Sequence, residues 1–172
     1  MRVIRTPRLA LEPQVAAHAE AMVDVLSDPA IYEYENAPPS SVEWLRDRYR
    51  KLESRRSGDG REQWLNWVMR MNDGRLIGYV QATVTDDGAA AIAYELGSAW
   101  WGQGLASEAV TAMIEALRDD YAVHRLSAVF KSANARSRRL LDRLGFTAAS
   151  ADDESAADIE PDESLMLRTI AP

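Results

Sequence analysis

Residues 94–110 read YELGSAWWGQGLASEAV, and the pattern changes character in the middle of this stretch. Up to Leu96 the chain has strand composition. Beyond Gly104 the apolar residues Ala106, Ala109, Val110, Met113, Ile114 and Leu117 recur at intervals of three and four, the spacing of one helical face. A strand that runs through a glycine loop into a helix leaves the first-turn N–H groups of that helix without intrahelical acceptors. Such a terminus suits an anion, because the donors point outward and the dipole adds about half a positive charge. Gly102 and Gly104 reach conformations closed to other residues and let a phosphate approach the main chain. The same glycines also suit a tight connection that binds nothing, and the loop alone leaves both readings standing.

Downstream, Leu126 to Lys131 has strand composition, so strand, helix and strand over residues 90–131 predict a parallel crossover. Asn134 to Leu144 predicts a short helix capped by Asn134, with Leu140, Leu141 and Leu144 inward and Gly145 as the left-handed stop. Phe146 begins another strand. Residues 151–163, ADDESAADIEPDE, are acidic and poor in bulky side chains, and are expected to form a mobile loop before a last strand, Ser164 to Ile170.

Upstream, Trp64 to Met71, Arg75 to Val84 and Ala90 to Leu96 are separated by Asn72-Asp73-Gly74 and Asp86-Asp87-Gly88, which predicts three consecutive antiparallel strands. Two amphipathic helices precede them. One spans Val15 to Leu26; the other starts at Ser40, whose partner Glu43 gives the form of a capping box, and turns Leu45, Tyr49 and Leu52 inward. A short extended start includes Arg8 to Glu12. The sheet is therefore mixed, and residues 1–172 are expected to form a single domain with no internal repeat.

Composition narrows the function. The 172 residues are 47% hydrophobic and 27% charged, as in a globular protein. There is no cysteine, hence no disulfide framework, thiolate zinc site or cysteine nucleophile. No apolar run is long enough to span a bilayer and the start lacks a signal's apolar core, so a cytoplasmic protein without a membrane partner is expected. Acidic residues outnumber basic ones by 27 to 20, a formal charge of −7 that argues against general affinity for nucleic acid.

Specific alternatives can be tested at the loop. A P-loop needs Lys and Ser or Thr where Leu105 and Ala106 follow Gly104. A dinucleotide fingerprint needs a third glycine where Ser107 stands. A serine hydrolase elbow, G-x-S-x-G, is absent. His18 and His124 stand apart, read as structural, and no metal is expected.

Taken together, YELGSAWWGQGLASEAV and SANARSRRLLDRLGF (residues 132–146) resemble the two cofactor-binding motifs of the GNAT superfamily of N-acetyltransferases. In that family the first motif is written Q/R-x-x-G-x-G/A; Trp101, Gly104 and Ala106 occupy its defined positions, and Trp101 departs from the usual first residue. The Trp-Gly-x-Gly-x-Ala-x-Glu-Ala form and the opening RTPRLALEP are similar to the RimJ and RimL branch of ribosomal-protein acetyltransferases. The resemblance implies an α+β fold: a mixed, mostly antiparallel sheet flanked by helices, with a splayed parallel strand pair holding acetyl-coenzyme A. It implies that the diphosphate rests on Trp101, Gly102, Gln103, Gly104, Leu105, Ala106 and Ser107, that Leu96 and Asn134 meet the pantetheine arm, and that Arg139, among Arg136, Arg138, Arg139 and Arg143, meets the 3′-phosphate. The arginines read equally well as a solvated helix face.

Acetyl transfer from a thioester to an amine needs a base, an oxyanion donor and a proton for the thiolate. An amine near pKa 10 is almost wholly protonated at neutral pH, so a carboxylate must remove its proton. Glu95 is the first candidate, against the reading that it merely faces solvent; Glu33 and Glu35 are weaker ones. The N–H of Leu96 or Gly97 is the candidate oxyanion donor. By resemblance, Ser137 contacts the sulfur. Trp64, Trp67, Tyr32 and Tyr34 are candidates for an acceptor pocket, or for core. The expected function is direct acetylation of a primary amine, either a protein N-terminus or a small amine, by a monomer or homodimer. The rival is a non-catalytic coenzyme A-binding or partner-docking module.

Overall fold

The computed structural model describes residues 1–34 and 37–171. Three hairpin-linked strands form the centre of the sheet: β3 (Glu62–Met71), β4 (Leu76–Thr85) and β5 (Ala89–Leu96). Before them come β1 (Ile4–Arg5), β2 (Leu9–Pro13), α1 (Ala19–Leu26) and α2 (Val42–Leu52). After them come α3 (Leu105–Tyr121), β6 (Arg125–Lys131), α4 (Ala135–Arg143), β7 (Thr147–Ala148), α5 (Ala151–Ala157) and β8 (Glu163–Thr169). The strand order is β1-β2-β3-β4-β5-β6-β8-β7, and the pairing is antiparallel except between β5 and β6.

Two apolar cores hold the elements together. The periodic residues of α3 are buried in the larger, where Ala109, Val110, Met113 and Leu117 are fully enclosed with Trp67, Met69 and Ile77. Cutting Leu117 back to Ala removes contacts that a close-packed interior cannot refill, a change of about 2–5 kcal/mol. The smaller core joins Ala19, Met22 and Leu26 of α1 to Leu45 and Tyr49 of α2 and to Val68 and Leu76 of the sheet.

Three local expectations are corrected. The cap of α2 is Ser41, not Ser40: its side chain accepts from the Trp44 N–H at 3.1 Å. The segment 16–26 begins as a 3₁₀ turn, Ala16–His18, before α1. Residues 151–163, expected as a mobile loop, include the exposed helix α5. Composition misled there because the local signal is a cap. Ser150 and Asp153 form a reciprocal capping box, and Asp152, Asp153 and Glu154 lie at the helix's positive end.

The site is positioned by an interruption. β5 and β6 pair only at Ala89, Ala90 and Ala91 against Arg125, Leu126 and Ser127. Beyond Ala91 the strands separate, while β4 continues to pair with β5 as far as Leu96 and β8 with β6 as far as Lys131. The result is a wedge in an otherwise continuous sheet.

Candidate active site

A cavity of about 550 Å³ fills this wedge. Residues 92–96 of β5 line one wall and residues 128–130 of β6 the other; the glycine loop with the start of α3, and the start of α4, close its ends. Ile31 and Tyr34 border it as well. A short 3₁₀ turn, Pro29–Tyr32, is fixed beside the cleft by Asp28, which accepts from the Ala30 N–H at 3.0 Å and the Ser98 N–H at 2.8 Å. The Ser98 bonds hold the Asp28 carboxyl below its ordinary value.

The β5 edge facing the wedge pairs with no strand beyond Ala91. The Gly97 N–H donates to Ile77 O on β4 at 2.9 Å, so it is not the oxyanion donor. Successive N–H groups of an extended strand point to opposite edges, which turns the Leu96 N–H toward the wedge. That N–H makes a long, 3.3 Å contact with Glu95 Oε1, and the Leu96 carbonyl accepts from the Trp101 indole at 2.7 Å.

The loop turns on two glycines and leaves a run of N–H groups unpaired. Gly102 and Gly104 have φ of 73° and 76°, in the left-handed region. Helix α3 makes its first backbone bond from Glu108 N to Gly104 O. Among the described residues, the N–H groups of Gly102 through Ser107 donate to no protein acceptor. Gly102, Gly104, Leu105, Ala106, Ser107 and Trp101 line the cavity; Gln103 does not, its side chain donating to Ala99 O at 3.1 Å.

Helix α4 delivers the second half. Asn134 caps it by accepting from the Ser137 N–H at 3.0 Å, which turns Ser137 into the cavity. Ser137 Oγ lies 2.7 Å from the Tyr94 hydroxyl. Burial, reinforced by the Glu95 charge and partly offset by the Ser137 bond, pushes the Tyr94 hydroxyl up to about 12. Tyr94 carries no expected role from the sequence, yet it lies within the first quoted motif. Strand alternation, with Glu95 facing one side and Tyr94 the other, is the signal that finds it.

Glu95 stands opposite Tyr79 in the β4 register, half-buried at the cavity wall. Its charge adds to burial in raising the Tyr32 hydroxyl to about 12. Glu33 does not line the cavity: its Oε2 accepts from Arg136 Nη2 at 2.9 Å. Glu35 lies outside the described residues. Arg136, Arg139 and Arg143 line the cavity and Arg138 does not. The Arg136 guanidinium also lies 3.9 Å from the centre of the Trp101 ring.

Of the four candidate aromatics only Tyr34 lines the cavity, joined by Trp100 and Trp101. Trp67 is core, its indole donating to Arg2 O at 3.1 Å. Trp64 donates to Glu62 and Tyr32 to Leu26 O. Among the described residues, no three His, Cys, Asp or Glu side chains are grouped to hold a metal, and no helix is long and apolar enough to cross a membrane.

This arrangement of wedge, glycine loop and α4 matches a known family. Residues 8–147 match the model of the acetyltransferase (GNAT) domain. The chain belongs to the GNAT acetyltransferase family. The uncharacterized N-acetyltransferase p20 of Bacillus licheniformis is 30% identical over 149 residues, covering 85% of this chain and 83% of that one. The ribosomal protein uS5-alanine N-acetyltransferase of Escherichia coli is 42% identical over a shorter stretch of 55 residues, 32% of this chain and 28% of that one. Among solved structures, RimL, a ribosomal L7/L12 α-N-protein acetyltransferase in complex with coenzyme A, superposes with a TM-score of 0.82 at 20% identity over 98% of each chain. The GNAT fold and the RimJ/RimL likeness expected from the two motifs are thereby established.

Proposed function

We propose that this GNAT acetyltransferase uses acetyl-coenzyme A to acetylate a primary amine directly, with a protein N-terminal amine as the favoured acceptor. The observation that carries the reading is the continuity of the wedge with the glycine loop. One cavity offers an unpaired strand edge to an amide-bearing arm and unsatisfied N–H groups to a diphosphate. The donor set fits an elongated anionic thioester, whose phosphate end would meet backbone N–H groups and Arg139 and whose other end would meet Leu96, Asn134 and Ser137, all of which line the cavity.

Acetyl-coenzyme A supplies an activated acyl carbon; the chain's residues supply the rest. Glu95 takes the proton from the incoming ammonium, freeing the lone pair that forms the new C–N bond. The Leu96 N–H stabilises the oxygen that gains charge. Ser137, bonded to Tyr94, passes a proton to the sulfur as the C–S bond breaks, and the second proton shed by the nitrogen on forming the amide restores the Ser137 hydroxyl; the aid is modest because a thiol has a pKa of about 8.5. The acceptor side is lined by Ile31, Tyr34 and Glu95, an apolar and acidic entrance suited to a cationic amine. The names of the uS5 and RimL relatives favour a protein N-terminus over a small amine.

A thiol-release assay over peptides with free N-termini, polyamines and aminoglycosides tests the reading. Release with peptides is the expected result; coenzyme A-induced thermal stabilisation with no release on any amine indicates a binding module instead. Gly104→Val forces a β-branched residue to φ of 76° and is expected to abolish coenzyme A binding. Unchanged affinity in that variant removes the loop from the site.

A further inference from the structure

The far side of the glycine loop is held by a residue about a hundred positions away. Arg8, immediately before β2, donates from Nη1 to the Gln103 carbonyl at 2.9 Å and from Nε to Glu108 Oε2 at 2.6 Å. Its main-chain N–H and the Thr6 hydroxyl both donate to Glu108 Oε1, at 2.9 and 2.6 Å. Its Nη2 lies 3.6 Å from the position that a Cβ on Gly104 would take.

Two consequences follow from elementary geometry and charge. A trans peptide holds its C=O and N–H antiparallel, and the chain has no cis peptide among the described residues. Drawing the Gln103 carbonyl toward Arg8 therefore turns the Gly104 N–H, in the same peptide unit, to the opposite side. Gly104 lines the cavity and Gln103 does not. Glu108 sits in the first turn of α3. Burial works to raise its carboxyl, but the bonds from Thr6 and Arg8 outweigh it and hold the group below its ordinary value. A carboxylate there opposes the helix-end field that attracts an anion, and only the guanidinium beside it restores that field.

We propose that Arg8 is a positioning residue for the coenzyme A diphosphate: it aims the Gly104 N–H into the cleft through the Gln103 carbonyl and cancels the Glu108 charge beneath the loop. This rests on the acetyl-coenzyme A reading above and adds a residue to it. One planar fork serves two acceptors on the loop and the helix, which a lysine's single ammonium cannot reproduce.

The test is calorimetric binding of coenzyme A, dephospho-coenzyme A and pantetheine to the parent, Arg8→Met, Arg8→Lys and Arg8→Met/Glu108→Gln. Dephospho-coenzyme A keeps the diphosphate and pantetheine lacks it. Arg8→Met is expected to weaken both diphosphate ligands about tenfold, the scale of a charge-assisted bond, and to leave pantetheine unchanged. Arg8→Lys recovers part of the loss, and so does the double variant, which has no uncompensated carboxylate and keeps the test open if Arg8→Met does not fold. Equal weakening of pantetheine, weakening of coenzyme A alone, or no weakening overturns the proposal. A parent protein that binds pantetheine as tightly as coenzyme A overturns the diphosphate reading of the loop itself, a different result, and the role of Arg8 falls with it.

Discussion

The Tyr94 hydroxyl and Ser137 Oγ meet at 2.7 Å across the wedge, joining β5 to α4 where the two halves of the fold otherwise part. Burial pushes the Tyr94 hydroxyl up to about 12, so it holds its proton near neutral pH. It can therefore donate to Ser137 while Ser137 donates onward. Ser137→Ala is expected to lower single-turnover acetyl transfer by roughly ten- to a thousandfold, the lower part of general-acid effects. Tyr94→Phe should lower it less, and the double variant should be no worse than Ser137→Ala, since both act through one proton path. Additive losses in rapid-quench measurements argue for separate roles.

Gly78 lies opposite Leu96 on β4, and a Cβ there would sit 2.1 Å from the Glu95 carbonyl oxygen. Backbone cannot yield as a flexible side chain can, so Gly78→Ala must push β4 from β5 next to the proposed base. The expected loss is at least about 1–3 kcal/mol, as for other overpacked sites. Thermal unfolding checks this: a domain of this size should melt several degrees lower, about 2–4 °C per kcal/mol. An unchanged midpoint contradicts the close approach.

Much of this site was legible because its parts are local in sequence. The period change at residues 94–110, the Asn134 cap and the paired turns at Asn72-Asp73-Gly74 and Asp86-Asp87-Gly88 each lie within one window, and each strand or helix they announce is present. What was not legible depends on distance along the chain. Arg8 and Glu108 are a hundred residues apart, and Arg136 meets Trp101 and Glu33 from three different elements. No periodicity records such meetings. Trp67 is core and not pocket for a related reason: both faces of β3 are covered, Trp67 in the larger core and Val68 in the smaller, so strand alternation carries no sign of which residue borders a cavity.

Glu12, Glu108 and His18 are among the groups that shape the acid limb of the stability profile. Glu12 accepts from Arg70 Nε and Nη2 at 2.8 and 2.9 Å, and that bond holds its carboxyl below the ordinary value. The Thr6 and Arg8 bonds lower Glu108. Burial lowers His18, against the pull of Glu12. A depressed folded-state pKa contributes stability that is present above the unfolded value and lost as pH falls. Denaturant midpoints should therefore fall first below about pH 6.5, where the His18 imidazole of the unfolded chain takes up a proton that burial denies it in the folded one, and more steeply below about pH 4.3. Glu12→Gln should flatten the lower step; a profile identical to the parent's there excludes Glu12 as a source.

Alkali acts with the opposite sign. Burial raises Tyr32 and Tyr94 to about 12 and raises Tyr79 further. A raised folded-state value gives stability that is complete below the unfolded value, about 10, and lost as pH rises through the folded one. Phenolate absorbance should show these tyrosines ionising together with loss of structure between about pH 10 and 12. Smooth titration of all six tyrosines near the ordinary value, with the fold intact, contradicts their burial.

Glu95 is the residue on which the acceptor chemistry turns, and its role can be separated from its structural contacts. Glu95→Gln keeps a side-chain oxygen for the Leu96 N–H and nearly the same volume, but it cannot accept a proton from ammonium. For an N-terminal amine of pKa about 7.7–8.0 the expected result is a fall in kcat of about tenfold at pH 7, growing as pH falls, with KM for acetyl-coenzyme A unchanged. The diagnostic is the pH dependence. As pH approaches the amine's own pKa, the acceptor arrives already deprotonated and the base has less to do, so the ratio of parent to variant should shrink steadily. A ratio that stays constant across that range means Glu95 orients the acceptor or the strand edge without moving a proton, and the base is then another group or a water.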